Sequence, residues 1–187
     1  MTMRPEDEEM RRRYIEAAWR LGCSGGEGAL SIRALARDVG RAAGSVYLYF
    51  EDKGSLMNEL RRIGAAKLEA TLAAASQSMS VETRLAALCQ RYLAYMAECA
   101  WLYVDDVEGA LLRPDALHAA AFIERAEHEL RMTRHGAPEE HDARPRHLWL
   151  ALQGLASAVA AAPEIYDRDF VGAHLRFVTR GVTVMEV

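Results

Sequence analysis

The sequence predicts an all-helical protein, and three observations lead there. About half of the 187 residues are hydrophobic (51%), with Ala, Leu and Arg recurring while turn clusters and β-branched runs are scarce, a balance that favours helix over strand. Apolar residues return at i, i+3, i+4 and i+7 in one window after another. Two of those windows are only about two turns long and flank a glycine turn, the pattern of a pair of short helices packed at an angle. A chain of this length supports one generous domain or two small ones.

The first helix is expected over about Pro5 to Leu21, where Met10, Tyr14, Ala17, Ala18 and Leu21 share a face and Pro5 suits a first turn. Gly22 and the stretch CSGGEGA are expected to end it. Ser31 caps a second helix with Ile32, Leu35, Ala36 and Val39 on one side, and Gly40 supplies its left-handed stop. After a turn at 40–42, a third short helix presents Ala43, Val46, Tyr47 and Phe50 at the same spacing. Helices so short do not stand alone in water. Both are therefore expected to pack on the first, giving a helix-turn-helix over residues 31–50.

Asp52 caps a longer linking helix from Lys53 to about Ala75, and SQSMS at 76–80 reads as the junction to a second module. Val81, Leu85, Leu88, Tyr92, Tyr95 and Cys99 stripe a helix over about 81–100. Pro114 opens another, with Ala116, Ala120, Ile123 and Leu130 inward as far as Arg134. The polar loop RHGAPEEHDARPR then leads to two final helices over about 145–162 and 168–185.

The net charge of −4 does not by itself suggest a nucleic-acid binder, but it is unevenly spread. Residues 31–67 hold seven basic side chains (Arg33, Arg37, Arg41, Lys53, Arg61, Arg62 and Lys67) against four acidic ones. That bias sits where a phosphate-facing surface would be needed, although such clusters also mark ordinary solvated helix faces. Cys23, Cys89 and Cys99 have no metal-ligand spacing and read as inert thiols in a reducing compartment. The segment MTMRPEDEEMRRR lacks the apolar centre of a signal peptide, and the longest apolar run, Leu148 to Pro163, is interrupted by Gln153 and too short to span a membrane. A soluble, cytoplasmic protein with no membrane partner is expected.

Within SIRALARDVGRAAGSVYLYFEDKGSLMNEL, Ile32, Leu35, Ala36, Gly40, Gly44, Val46, Tyr47, Phe50, Lys53 and Leu56 stand at fixed spacings across 25 residues. In those positions the chain resembles the DNA-binding region of TetR-type transcriptional regulators. The resemblance covers about residues 8–60 and weakens beyond. It implies a helix-turn-helix DNA-binding domain over 1–52, a ligand-binding and dimerisation domain over 53–187, and a repressor that binds a palindromic operator in double-stranded DNA as a dimer and is released by a small effector. Two positions depart from the family pattern: Arg41 stands where a hydrophobic residue is usual, and Ala42 where a Ser-like cap is usual. Loss of that cap costs about 1 kcal/mol of local helix stability, so a loosely held recognition helix is expected. A charged Arg41 is expected to face outward, since it cannot be buried unpaired.

The chemistry supports the same reading. In a helix-turn-helix the second helix enters the major groove with its N-terminal residues against base edges. Arg41 suits a guanine edge or a phosphate, and Ala43 and Gly44 keep the backbone slim for close approach. Ser45 suits base or phosphate, Leu48 a thymine methyl, and Tyr49 lies on the same outward side. Tyr47 is expected to be half-buried with its hydroxyl reaching a phosphate. Ser31, Arg33 and Lys53 flank the helix as backbone contacts. Phe50 reads as core, and Tyr47 has core packing as its alternative.

In the second module, helix 145–162 is apolar nearly all round and must be buried on several sides. HLWLALQGLASAVAAAPEI is similar to the penultimate helix of one subset of the family, with Gln153-Gly154 where a His-Gly pair is usual. The last helix carries two stripes, Val171/Leu175/Val178/Val182/Met185 and Phe170/His174/Phe177/Val184. One suits the chain's own core and the other a second copy, giving a homodimer through helices 145–162 and 168–185. Tyr92, Tyr95, Met96, Trp101, Tyr103, His118, Phe122 and Trp149 are candidates for a pocket taking an apolar or aromatic effector, with plain core as the alternative and, for His118, a surface or satisfied histidine. No cofactor is expected. His135, Glu139, Glu140, His141 and His147 lack a metal-site order, and no nucleophile elbow, phosphate loop or dinucleotide fingerprint is present, so a small enzyme is the weakest alternative. A helical interaction protein of the same fold that has lost DNA binding is another, but the acidic or broken positions it predicts in helix 42–50 are absent.

Overall fold

The computed structural model describes residues 4–73, 80–103, 117–131 and 143–184. Among these residues the fold is all-α: α1 (Pro5–Ala29), α2 (Ile32–Asp38), a 3-10 helix (Ala43–Leu48), α3 (Lys53–Ala73), α4 (Val81–Cys99), a short 3-10 helix (Ala100–Leu102), α5 (Leu117–Arg131), α6 (Arg144–Ala161) and α7 (Arg168–Val184). Of the described residues, 4–64 and 98–103 form one compact unit, and 65–73, 80–97, 117–131 and 143–184 a second. The linking helix α3 therefore gives its first three turns to the first unit, where the sequence division had ended at 52. No helix among the described residues is long and apolar enough to cross a membrane.

Helix α1 opens on Pro5, with Glu6, Asp7 and Glu8 at its positive end. It runs past the expected stop at Leu21 and takes Gly22 inside it. A Cβ at Gly22 would fall onto the Trp101 indole, whose ring lies edge-on to Trp19 at 5.8 Å. The break comes later, at Gly25 and Gly26, where Gly26 takes φ 67°. Ser31 then caps α2, its Oγ accepting from Ala34 N at 3.1 Å. Gly40, at φ 72°, closes α2: its N–H donates to Arg37 O at 3.1 Å and that of Arg41 to Ala36 O at 2.8 Å. These two bonds are the Schellman closure.

Asp52 and Ser55 cap α3 reciprocally, Ser55 N donating to Asp52 Oδ1 at 2.7 Å and Asp52 N to Ser55 Oγ at 3.2 Å. The first unit's core is Tyr14, Ala17, Ala18, Leu30, Leu35, Ala36, Val39, Val46, Phe50, Leu56, Met57, Leu60, Trp101 and Leu102, all buried. Arg61 Nε ties α3 to Leu102 O at 2.8 Å. Glu59, mostly buried, accepts from Arg62 at 2.8 Å and from Arg11 of α1 at 3.4 Å. These bonds, that from Arg62 above all, hold its carboxyl below the usual glutamate range.

In the second unit, α5 turns His118, Ala119, Phe122, Ile123, Ala126 and Leu130 inward. Ala120 is exposed rather than inward, because it lies about 100° round the helix from Ala119. Pro114, Ala116, Arg134 and residues 76–79 of the expected junction lie outside the described residues. Glu129 is buried between Arg84 Nε at 2.6 Å and Arg125 Nη2 at 2.9 Å, so its charge is paired from two helices. Helix α6 buries Leu148, Trp149, Leu152, Gln153 and Leu155 on one side and leaves Leu150 exposed. Cys89 and Cys99 are buried and Cys23 exposed; burial pushes the Cys89 thiol up to about 12.

Two outcomes follow. Gly22→Val should destabilise the protein by about 1–3 kcal/mol in thermal unfolding, whereas Gly28→Ala, where an added Cβ meets no neighbour within 4 Å, should change stability little. The depressed Glu59 carboxyl gives stability that is fully present above the ordinary glutamate value of about 4.3 and is lost as pH falls through the lower native value. Acid titration of unfolding should therefore show a steeper loss for wild type than for Glu59→Gln.

Candidate nucleic-acid interface

The turn that follows α2 is a 3-10 helix rather than the α-helix expected. Ala42 enters it extended (φ −73°, ψ 148°) with no side-chain cap. Ser45 ties down the start from within the turn: its N–H and its Oγ both donate to Ala42 O, at 3.0 and 2.6 Å. Because the one hydroxyl proton of Ser45 is spent on Ala42, Tyr14 is the donor in the 2.7 Å contact between the Tyr14 and Ser45 hydroxyls. Tyr14 is fully buried on α1 and its ring also meets Tyr49, centroids 5.5 Å apart. Tyr49 N and Phe50 N donate to Val46 O at 3.0 and 3.1 Å and close the turn. Phe50 is buried, as expected, beneath the Arg11 guanidinium at 5.1 Å.

This anchoring corrects the expected facing of several residues. Ser45 and Tyr49, read from the sequence as outward, are turned toward Tyr14 and part-buried. Tyr47, expected to be half-buried, is 56% exposed, and Leu48 beside it is 79% exposed. A 3-10 turn advances about 120° per residue rather than 100°, so the α-helical spacing misassigned the flanks while Val46 stayed inward. Ser45 and Tyr14 bind the start of the turn although residue 42 supplies no cap.

The outer surface consists of Ala43, Gly44, Tyr47 and Leu48, with Arg41 at its entrance and Arg33 on α2. The side chains of Arg33 and Arg41 are exposed and make no hydrogen bond or ion pair with the described residues. Gly44 has ordinary backbone angles, and a Cβ there would meet nothing within 4 Å. The protein's own packing therefore gives no reason for glycine at this place. Ser31 is occupied as the α2 cap, and Lys53 is held by Glu27, Nζ to Oε1 3.0 Å.

The eight residues proposed for a pocket are divided between the two units. Trp101 and Tyr103 belong to the first unit. Tyr92, Tyr95, Met96, His118, Phe122 and Trp149 are all buried in the second. There Trp149 Nε1 donates to Tyr92 Oη at 3.1 Å, Tyr92 Oη donates to Gln153 Oε1 at 3.2 Å, and Phe122 packs on Tyr92 at 4.9 Å. His118, for which the sequence offers a surface or a satisfied histidine as alternatives, is not at the surface: it is fully buried and stacked on Tyr92. A groove of about 280 Å³ lies elsewhere in this unit, among Glu69, Leu72, Ala73, Ala121, Glu124, Arg125 and His128, and shares no residue with the expected pocket. His135, Glu139, Glu140 and His141 lie outside the described residues, and His147 is exposed. Among the described residues no three metal-ligating side chains gather.

Sequence reasoning missed Tyr14, which it placed only in the core, and Glu27, which it passed over inside a glycine-rich break. Neither carries a local signal, since their partners are 31 and 26 positions away.

Residues 15–60 match the family model of bacterial regulatory proteins, tetR family. The chain as a whole has the fold of several solved structures. A transcriptional regulator from Rhodococcus sp. Rha1 aligns with a TM-score of 0.66 at 18% identity, covering 94% of this chain and 99% of that one. The fatty acid degradation regulator FadR from Bacillus halodurans aligns at 0.65 and 16%, covering 98% and 97%. The TetR-like transcriptional regulator LfrR from Mycobacterium smegmatis, solved in complex with proflavine, aligns at 0.62 and 17%, covering 96% and 98%. No curated protein matches the chain.

The hydroxyl contact behind the turn gives a direct check. Tyr14→Phe removes one donor and leaves Ser45 with its backbone bond, so thermal unfolding should show a loss of about 0.5–1.5 kcal/mol.

Proposed function

We propose that the chain, whose residues 15–60 match the family model of bacterial regulatory proteins, tetR family, is a DNA-binding transcription regulator, a repressor that binds its operator as a homodimer and is released by a small apolar or aromatic effector. The observation that carries the reading is the outer surface of the Ala43–Leu48 turn: two large exposed side chains, Tyr47 and Leu48, beside a glycine that the protein does not need for itself. A duplex supplies the reason for all three, since close backbone approach, a phosphate and a thymine methyl are what Gly44, Tyr47 and Leu48 suit. Arg33 and Arg41 serve as phosphate or guanine contacts. Ala43 lines the approach, while Ser31, Ser45 and Tyr49 hold the surface in place.

A dimer is supported by the second unit. Phe170, Phe177 and Val184 recur every seven residues on α7 and are 43%, 77% and 68% exposed, with Leu150 of α6 at 51%. Large apolar side chains in such a row favour burial against a second copy. Two heads related by a two-fold axis then read half-sites about 34–36 Å apart. The effector role rests on the fold and on the proflavine bound to LfrR, with the second unit, in the 53–187 region, as its place and the six buried aromatic, Met and His side chains around Tyr92 as its lining. The proposed location is cytoplasmic, where the operator is.

Binding to duplex DNA from the flank of the chain's own gene, followed by footprinting, tests the first part. Wild type should protect a two-fold symmetric site, and Tyr47→Ala should weaken binding about 10-fold or more, the equivalent of about 1.4 kcal/mol. Gly44→Ala should weaken it too while leaving thermal stability unchanged or slightly raised. Binding that does not respond to salt overturns the regulator reading and favours an interaction protein of the same fold. Phe177→Glu should shift the sedimentation of the protein from dimer to monomer; a wild type that already sediments as a monomer overturns the dimer.

A further inference from the structure

We propose that Glu27 sets the affinity of this head for DNA by holding the Lys53 ammonium away from phosphate; the proposal rests on the DNA-binding reading above. Lys53 begins α3, the helix that follows the Ala43–Leu48 turn in the chain, and the sequence pattern reads it as a backbone clamp. In the folded chain its Nζ lies 3.0 Å from Glu27 Oε1, with the lysine side chain 41% exposed and the glutamate only 11%. Glu27 reaches this place because α1 breaks at Gly25 and Gly26 and resumes for one more turn, closed by Leu30 N on Glu27 O at 3.0 Å.

The asymmetry of the pair decides which partner governs the other. Glu27 Oε2 is buried with no hydrogen-bond partner among the described residues, and Lys53 is the one cation there that pairs with Glu27. If Lys53 swung out to a phosphate it would leave a buried carboxylate uncompensated, which is strongly disfavoured. A phosphate brought to Lys53 instead would meet the Glu27 charge at short range. Arg33 and Arg41 carry no such partner, so they release counterions on binding whereas Lys53 does not. Glu27 is thus a positioning residue that subtracts one phosphate contact from each head.

The readout is the slope of log K against log salt, which falls by about 0.9 for each phosphate neutralised. Wild type, Glu27→Gln, Lys53→Met and the double variant are titrated with a mixed-sequence duplex long enough for two heads, with circular dichroism confirming the helical fold. Glu27→Met replaces the glutamine variant if the latter does not fold. Glu27→Gln should bind more tightly, with a slope steeper by roughly 0.9 per head engaged. Lys53→Met should leave the wild-type slope unchanged, and in the double variant it should remove the gain. A Glu27→Gln slope parallel to wild type, even with tighter binding, overturns the proposal, because a structural role alone shifts affinity without changing the number of ions released. A flatter slope for Lys53→Met in the wild-type background also overturns it, since Lys53 would then already be on phosphate. A wild type that binds no duplex at any salt overturns the regulator reading and this proposal with it.

Discussion

A six-residue 3-10 turn has too few internal hydrogen bonds to hold its own shape in water, and the contact that holds this one is the Tyr14–Ser45 hydroxyl pair. Tyr14 is fully buried, so its hydroxyl has a fixed position. Ser45 receives that bond and passes its own proton to Ala42 O, so the two bonds run in one direction from α1 to the start of the turn. With Ser45, Val46 and Tyr49 held inside, Gly44, Tyr47 and Leu48 are left outside. The outward set is thus a consequence of the inward one.

Much of this architecture was legible in the sequence because its signals are local. Ser31, Gly40 and Asp52 act on backbone groups within a few residues, and all three do in the fold what their residue types suggest. The break in α1 was misplaced by a few residues for a reason that no local rule contains: Gly22 serves a tryptophan nearly eighty positions later, and the chain turns at Gly25 and Gly26 instead. Ala42 shows the opposite case. The missing cap is a real local deficit, but Ser45 and Tyr14 offset it through contacts that spacing does not reveal. For the pocket, residue type alone gathered eight aromatic, Met and His side chains, and the fold divides them between its two units.

Charge follows a different logic in the two units. In the first, the exposed Arg33 and Arg41 beside the turn make no ion pair with the described residues, while Lys53 is engaged by Glu27. In the second, Glu129 is buried between Arg84 and Arg125, an arrangement in which losing either partner strands a charge. The former leaves positive charge available to a polyanion; the latter ties α4 to α5 and offers nothing outward. The overall net charge of −4 hides this difference.

The tryptophans have a consequence of their own. The chain has three, and they are divided as the units are: Trp19 and Trp101 meet edge to face over Gly22, while Trp149 lies in the second unit with its indole N–H on Tyr92. Each unit therefore carries its own intrinsic fluorophore, in surroundings that differ in hydrogen bonding and in aromatic neighbours. Light emitted by the protein is a two-channel record of its integrity, and a chain keeping only Trp149 would report on the second unit without any label.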